Sequence, residues 1–124
     1  MVEGTGIDLI EVQRVEFNIA KGAGFKEMIF TQTEIEYCEL KPNKYQHYAA
    51  RFAAKEAFFK AIGTGWQEGT QFNEVEVTNT STGKPELVLL GKTRETLNYL
   101  GISRILVSLS HLKTIACAVV IIEK

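Results

Sequence analysis

Apolar and polar positions along this chain follow two different periods. Alternating positions rich in β-branched residues predict strands, whereas apolar residues three or four positions apart predict helices. The predicted strands are residues 2–10, 72–78, 86–90, 104–110 and 114–122. The predicted helices are residues 11–20, 31–38, 44–62 and 93–100. Because strands and helices do not alternate strictly, the pattern favours an α+β fold over a doubly wound parallel sheet. We expect a largely antiparallel sheet packed around the long central helix.

Short local signals mark the ends of these elements. Thr31 followed by Glu34 matches a capping box, which begins a helix. Gly63 is a favourable end for the long helix, because glycine readily adopts the left-handed cap conformation. Turn-forming residues over 80–85 connect the second and third strands as a hairpin. The last two strands are also expected to pair.

Length and composition predict one ordinary globular domain over residues 1–124, since 45% of the chain is hydrophobic and 23% is charged. A net charge of −1 argues against the broad basic surface that binds nucleic acid. The longest apolar run, 115–122, is shorter than the roughly 18 residues of a membrane span, and no basic segment followed by an apolar one opens the chain. Cys38 and Cys117 have no metal-binding or redox spacing, which is typical of buried free thiols. We therefore expect a cytoplasmic protein that binds neither nucleic acid nor membrane.

The predicted long helix places a carboxylate within its apolar stripe. At about 100° per residue, Phe52, Glu56 and Phe59 fall on one narrow face. An unpaired carboxylate buried there would cost several kcal/mol, so it needs a cation, a metal ion or a raised pKa. The segment from residue 51 to residue 65 therefore indicates the chemistry of the protein more strongly than any other.

Two interpretations of this helix stay open on the residues alone. Glu56 and Lys60 stand four positions apart and would form a simple helix salt bridge worth a few tenths of a kcal/mol. Alternatively, Arg51, Lys55 and Lys60 supply donors for phosphate, and Glu56 supplies an oxygen ligand for Mg²⁺. Asp8, at the end of the first strand, is then the candidate second carboxylate, although aspartate there also serves as an ordinary turn residue.

Five segments of the chain carry a resemblance to a known family. They are GTGIDLIEVQRVE at 4–16, FTQTE at 30–34, RFAAKEAFFKAIGTG at 51–65, GKP at 83–85 and SLSH at 108–111. In order and spacing they resemble the holo-acyl-carrier-protein synthases, the short 4'-phosphopantetheinyl transferases. The resemblance covers nearly the whole chain and implies the fold of that family. It also implies an enzyme that transfers the phosphopantetheine arm of coenzyme A to a serine of apo acyl carrier protein and releases adenosine 3',5'-bisphosphate.

The resemblance implies a role for each residue of the motifs. Asp8 and Glu56 match the metal ligands, which would hold Mg²⁺ against the pyrophosphate of the co-substrate coenzyme A. Lys60 would contact the same phosphates, and these three residues form the implied catalytic set. Arg51 would bind the ribose 3'-phosphate with His111 beside it.

Further contacts follow from the same resemblance. The remaining positions implied in coenzyme A binding are Gly63, Thr64, Gly83, Lys84, Pro85 and Ser110. The loop at 83–85 would come from a neighbouring subunit, because short members of the family are homotrimers with active sites at the subunit boundaries. Arg14 on the first helix would meet the acidic recognition helix of the carrier protein, and Lys21 and Lys26 would extend that patch.

Several alternatives remain at this point. Gly63 would end a helix in any protein, and a histidine at a turn, such as His111, is more often structural than a ligand. The serine proton would go either to a water molecule organised by the metal or to Glu56, and Leu112 stands where many relatives have a polar residue. A non-catalytic coenzyme A or nucleotide-binding module that assembles on an acidic partner is the main alternative function, and a scaffold with a surface ion-pair network is a third. The pathway of the carrier protein, whether fatty acid, polyketide or another, is not readable from these residues.

Overall fold

The computed structural model describes residues 1–63 and 69–124. The strands are β1 (Val2–Glu11), β2 (Val75–Asn79), β3 (Pro85–Leu89), β4 (Arg104–His111) and β5 (Ile115–Glu123). The helices are α1 (Val12–Ala20), α2 (Phe25–Ile29), α3 (Gln32–Glu39), α4 (Lys44–Ala61) and α5 (Gly91–Tyr99). Within these residues, no helix combines the length and apolar character needed to cross a membrane.

The strands form two antiparallel sheets, as the α+β prediction required. β5 lies at the centre of a three-stranded sheet, between β1 and β4, and β2 pairs with β3 in a separate hairpin. Cys117 of β5 lies opposite both Leu9 of β1 and Ser110 of β4, which fixes the register across the sheet. The predicted pairing of the last two strands and the predicted hairpin are both confirmed.

Helix α4 packs directly on β1, because two glycines of that strand leave room for its backbone. A Cβ atom at Gly6 would collide with the carbonyl oxygen of Ala57, and one at Gly4 would collide with that of Ala61. Both glycines lie on the inward face of β1, where Asp8 follows them at the same two-residue spacing. The G-x-G-x-D pattern at 4–8 therefore brings an aspartate close to the side of a helix.

Two details of the predicted elements differ from the structure. The predicted strand at 72–78 begins with a 3₁₀ turn, Phe72–Glu74, and becomes a strand only at Val75. Helix α2 was not predicted, since its five residues are too few to show a helical period. It follows Gly24, whose φ of 86° turns the chain sharply after α1.

Lys55 lies inside the protein, and the expectation that it offers a donor to phosphate is wrong. Its side chain is fully buried, and its Nζ lies 2.8 Å from Glu34 Oε1. The same nitrogen donates to the carbonyl oxygens of Phe72 at 2.9 Å and of Val75 at 2.6 Å. All three ammonium hydrogens therefore have internal acceptors, and the charge is not available to a ligand.

Glu34 is the buried partner of that lysine as well as a helix cap. Its Oε1 accepts a hydrogen bond from the backbone N–H of Thr31, and its Oε2 accepts one from the backbone N–H of Val77. The predicted capping box is confirmed, since the Thr31 hydroxyl accepts from the Glu34 backbone N–H. One carboxylate thus joins the start of α3 to the middle of α4 and to β2.

The face of the three-stranded sheet opposite α4 is exposed and largely apolar. Strand alternation places seven apolar side chains on it, and we call them the outer face: Ile7, Leu9, Leu106, Ile115, Cys117, Val119 and Ile121. Leu9 is 68% exposed and Ile7 is 58% exposed. Contiguous apolar surface of this kind commonly marks a site of association in soluble proteins.

The two cysteines are free thiols in different surroundings. Cys38 is fully buried beneath α4, and burial raises the pKa of its thiol to about 12. Cys117 belongs to the outer face and is partly exposed. The prediction of two buried thiols is therefore correct for Cys38 only.

Candidate functional site

Asp8, Glu56 and Lys60 meet where β1 touches α4. Lys60 Nζ lies 3.0 Å from Asp8 Oδ1 and donates to the carbonyl oxygen of Ile7 at 2.9 Å. The Asp8 side chain is 15% exposed, whereas that of Lys60 is 54% exposed. The cluster is thus anchored in the strand and helix on one side and faces solvent on the other.

The two carboxylates of this cluster repel each other. Burial raises the pKa of Glu56, the negative charge of Asp8 raises it further, and Lys60 acts in the opposite direction. Lys60 forms its ion pair with Asp8, whereas a simple helix salt bridge would have paired it with Glu56. Two acids from distant parts of the sequence therefore lie near a single lysine. The two negative charges exceed the one positive charge, so a further cation would be favoured at this cluster.

The donor set fits Mg²⁺ in chemical type. Carboxylate oxygens are hard ligands, and magnesium in proteins is commonly held by one or two of them, with phosphate oxygens and water completing the octahedron. Among residues 1–63 and 69–124, no cluster of three or more His, Cys, Asp or Glu side chains is arranged to hold a metal ion. Asp8 and Glu56 are two carboxylates of this kind, and a substrate with its own oxygens could complete such a ligand set.

A second group of predicted residues lines a separate cavity of about 190 Å³. Its lining residues are Tyr37, His47, Ala50, Arg51, Asn79, Gly83, Pro85, Leu109 and His111. The structure therefore brings four predicted site residues together here, namely Arg51, Gly83, Pro85 and His111. None of Asp8, Glu56 and Lys60 lines this cavity, so within one chain the two groups form separate half-sites.

The guanidinium of Arg51 is held in place from two sides. One of its terminal nitrogens donates to Asn79 Oδ1 at 3.1 Å, and Asn79 Nδ2 donates to the carbonyl oxygen of Gly83 at 3.1 Å. The ring of Tyr37 lies 4.0 Å from the guanidinium carbon. Arg51 Nε is buried and has no hydrogen-bond partner in the described part of the chain. An oriented cation with an unused buried donor is suited to an anionic ligand.

His111 closes the other end of this cavity. Its Nδ1 lies 2.8 Å from the amide oxygen of Gln46, so Nδ1 carries the hydrogen and donates it to that oxygen. The ring of His47 packs edge-on against it, with centroids 5.2 Å apart. The cavity therefore contains a guanidinium and two imidazoles, and none of the described residues that line it carries a carboxylate.

The other predicted site residues that the structure describes lie outside these two half-sites. Lys84 lines a neighbouring groove of about 410 Å³ between β3 and β4. Ser110 is exposed on the side of β4 opposite to His111, because successive residues of a strand point to opposite faces. Gly63 ends α4 with a left-handed φ of 84°, as predicted. Thr64 falls outside the described residues.

Arg14 lies on the exposed side of α1, beside an open groove of about 440 Å³. The groove is also lined by Phe17, which is 64% exposed. Lys21 places its ammonium 5.1 Å from the centre of that phenyl ring. This surface thus combines exposed positive charge with an exposed aromatic ring.

Sequence reasoning missed three polar members of the cavity around Arg51: Tyr37, His47 and Asn79. His47 precedes Arg51 by four positions, and this spacing puts both side chains on one face of α4. The sequence alone could therefore have predicted that His47 lies near Arg51. Tyr37 and Asn79 approach only through the packing of α3 and β2 on that helix, and no local pattern identifies them.

A protein-family model described as the 4'-phosphopantetheinyl transferase superfamily matches residues 4–120. The chain is similar to curated proteins named holo-[acyl-carrier-protein] synthase. The one from Solibacter usitatus is 47% identical over 99% of this chain and 99% of its own length. The one from Ruminiclostridium cellulolyticum is 50% identical over 95% of this chain and 90% of its own length.

Solved structures of the same kind of protein share this fold. The Neisseria meningitidis holo-[acyl-carrier-protein] synthase superposes with a TM-score of 0.92 and 33% identity, and the match covers 100% of both chains. The Bacillus anthracis protein, solved in complex with CoA (3',5'-ADP), gives a TM-score of 0.81 and 36% identity over 98% of this chain and 96% of its own.

Proposed function

This chain belongs to the 4'-phosphopantetheinyl transferase superfamily, and we propose on that premise that it transfers the phosphopantetheine arm of coenzyme A to a serine of apo acyl carrier protein. The observation that carries the proposal is the convergence of Asp8, Glu56 and Lys60 at the contact of β1 with α4. Two carboxylates and a lysine are the groups that a magnesium-dependent transfer from a pyrophosphate requires.

In the proposed reaction, the serine Oγ forms a bond to the phosphorus that carries the pantetheine arm. The bond from that phosphorus to the bridging oxygen breaks, adenosine 3',5'-bisphosphate leaves, and the serine proton passes either to Glu56 or to a water molecule. Lys60 binds the phosphates as a point charge, while Asp8 and Glu56 orient the reacting group. Asp8 and Glu56 would hold Mg²⁺, which would supply positive charge against the leaving bisphosphate.

The cavity around Arg51 is the proposed site for the adenosine end of coenzyme A. Its buried guanidinium and His111 offer directed donors to the ribose 3'-phosphate, and the Gly83 to Pro85 turn lies beside them. In one chain this cavity is separate from the carboxylate cluster. We therefore propose that one coenzyme A molecule uses the cavity of one subunit and the carboxylates of its neighbour.

A homotrimer is the assembly that we propose for this arrangement. The outer face supports it, because three neighbouring strands expose a continuous apolar surface to solvent in the isolated chain. Two further copies of the same chain are the proposed occupants of that surface. Arg14 and Phe17 of α1 stay exposed on another side, where they are proposed to dock the acidic carrier protein.

The function is tested by incubating the protein with Mg²⁺, coenzyme A and a panel of apo carrier proteins, and then weighing each carrier protein by intact-mass spectrometry. We expect a mass gain of one phosphopantetheine group and equimolar release of adenosine 3',5'-bisphosphate. Binding of coenzyme A without mass gain across the whole panel would instead favour a non-catalytic coenzyme A module.

Substitution of Val119, which is 37% exposed at the centre of the outer face, is expected to break the trimer. Val119→Glu would place one carboxylate per chain in an interface without a partner for it. We expect three chain masses for the wild type and one for the variant in light scattering. Tyr99→Glu, at a position on α5 that is 91% exposed, is the matched control and should remain trimeric. A trimeric Val119→Glu protein would contradict this interface.

A further inference from the structure

The cavity around Arg51 holds both histidines of the chain, His47 and His111. Resting on the proposed function, we propose that His47 is a specificity-determining residue for coenzyme A, which binds the ribose 3'-phosphate as an imidazolium together with Arg51 and His111. Coenzyme A would therefore be preferred over the same molecule without that phosphate, and this preference would be stronger below neutral pH.

The geometry places His47 in contact with the groups that would hold the phosphate. It occupies the first turn of α4, one turn before Arg51, and both side chains line the same cavity. Its ring lies 5.2 Å from that of His111 and 5.7 Å from that of Tyr37, edge-on in both cases. A small ligand beside the guanidinium would therefore also face both imidazoles.

In the described part of the chain, the charged groups that act on His47 are cationic. They are Lys41 before α4, Arg51 on α4 and His111 on β4, and the ring of Tyr37 on α3 also faces His47. Burial lowers the pKa of His47, and the positive charges of His111, Arg51 and Lys41 lower it further. In the free protein the ring is thus mainly neutral at pH 7. Its burial and its cationic neighbours keep it neutral.

A bound phosphate dianion reverses this balance. Opposite charge favours the protonated form of a nearby imidazole, so the pKa of His47 rises when the phosphate enters. Binding then takes up protons, and affinity increases as pH falls from the bound towards the free pKa. By linkage, each proton taken up changes the dissociation constant by at most about tenfold per pH unit.

The test compares coenzyme A with dephospho-coenzyme A, which lacks only the 3'-phosphate, by calorimetry at pH 6 and pH 8. For the wild type we expect the preference for coenzyme A to be roughly tenfold or more larger at pH 6 than at pH 8. In His47→Phe, which keeps an aromatic ring against His111, this pH dependence should shrink markedly. Titration of the phosphate itself cancels, since both proteins bind the same ligands.

Proton NMR of the wild type gives a second measurement that does not need a variant. With two histidines in the chain, two imidazole titrations are expected, and His47→Phe assigns them by removing one. The His47 midpoint should rise more with coenzyme A than with dephospho-coenzyme A. Equal midpoints with both ligands, or the same pH-dependent preference in His47→Phe, would overturn the inference. Failure of the wild type to bind coenzyme A at any pH would instead overturn the proposed function.

Discussion

Replacing Asp8 with asparagine is expected to lower kcat/KM for arm transfer by about 10³-fold. The change keeps the size of the side chain but removes one of the two charges proposed to hold Mg²⁺ at the pyrophosphate. Glu56→Gln should have an effect of similar size, because the two carboxylates act on the same group. Steady-state transfer of the arm to a carrier protein, followed at several Mg²⁺ concentrations, measures the loss.

The fold should survive the Asp8→Asn change, since the ion pair of Asp8 with the half-exposed Lys60 contributes at most about 1 kcal/mol. Glu3→Gln is the matched control, because Glu3 is an exposed carboxylate of the same strand that pairs with Lys124 at the surface. It should retain wild-type activity. If both Asp8→Asn and Glu56→Gln keep full activity, the metal-site assignment is wrong. If coenzyme A binding no longer responds to Mg²⁺ in either variant, the assignment is supported.

Replacing Lys55 with methionine is expected to lower the free energy of unfolding by about 3–5 kcal/mol. The substitution leaves Glu34 buried and charged, with two backbone donors but no cation. It also leaves the carbonyl oxygens of Phe72 and Val75 without the ammonium hydrogens that they accept. Urea denaturation followed by circular dichroism gives the value, at more than one protein concentration because we propose that the chain forms a trimer.

Two comparisons separate this effect from a general loss of lysine. Lys44→Met removes an ion pair with Glu39 on the exposed side of the same helix and should lower stability far less, because solvent screens exposed ion pairs. Glu34→Gln combined with Lys55→Met removes the buried charge and should recover part of the lost stability. If Lys55→Met is as stable as Lys44→Met, the pair does not carry the role assigned to it. Unchanged coenzyme A affinity per folded molecule would further separate Lys55 from phosphate binding.

How far the fold could be predicted depends on how local each signal is. The capping box at Thr31 and Glu34, the left-handed end of α4 and the pairing of the last two strands follow from neighbouring residues, and all were predicted. The second partner of Glu34 was not predicted, because Lys55 stands 21 positions away and only tertiary packing brings it there. A lysine in an apolar helix therefore indicated phosphate binding from the sequence, although in the structure it is paired internally.

The same limit applies to the candidate site. Asp8, Glu56 and Lys60 were grouped correctly because the family motifs carry them, and the structure adds the physical reason that Gly4 and Gly6 admit α4 against β1. His47 and Asn79 belong to no motif named in the sequence, and they join Arg51 through helix spacing and sheet packing. The roles of all these residues stay predictions until the variants are measured.

The contrast between the two thiols makes the chain suitable for chemical labelling. Cys117 lies on the outer face, so an alkylating reagent should modify it slowly in the assembled protein and quickly in Val119→Glu. Cys38 is shielded by burial and holds its proton at neutral pH, so it should react only when α3 and α4 separate. A single time course of alkylation, resolved by peptide mapping, would thus report subunit dissociation at one sulfur atom and unfolding at the other.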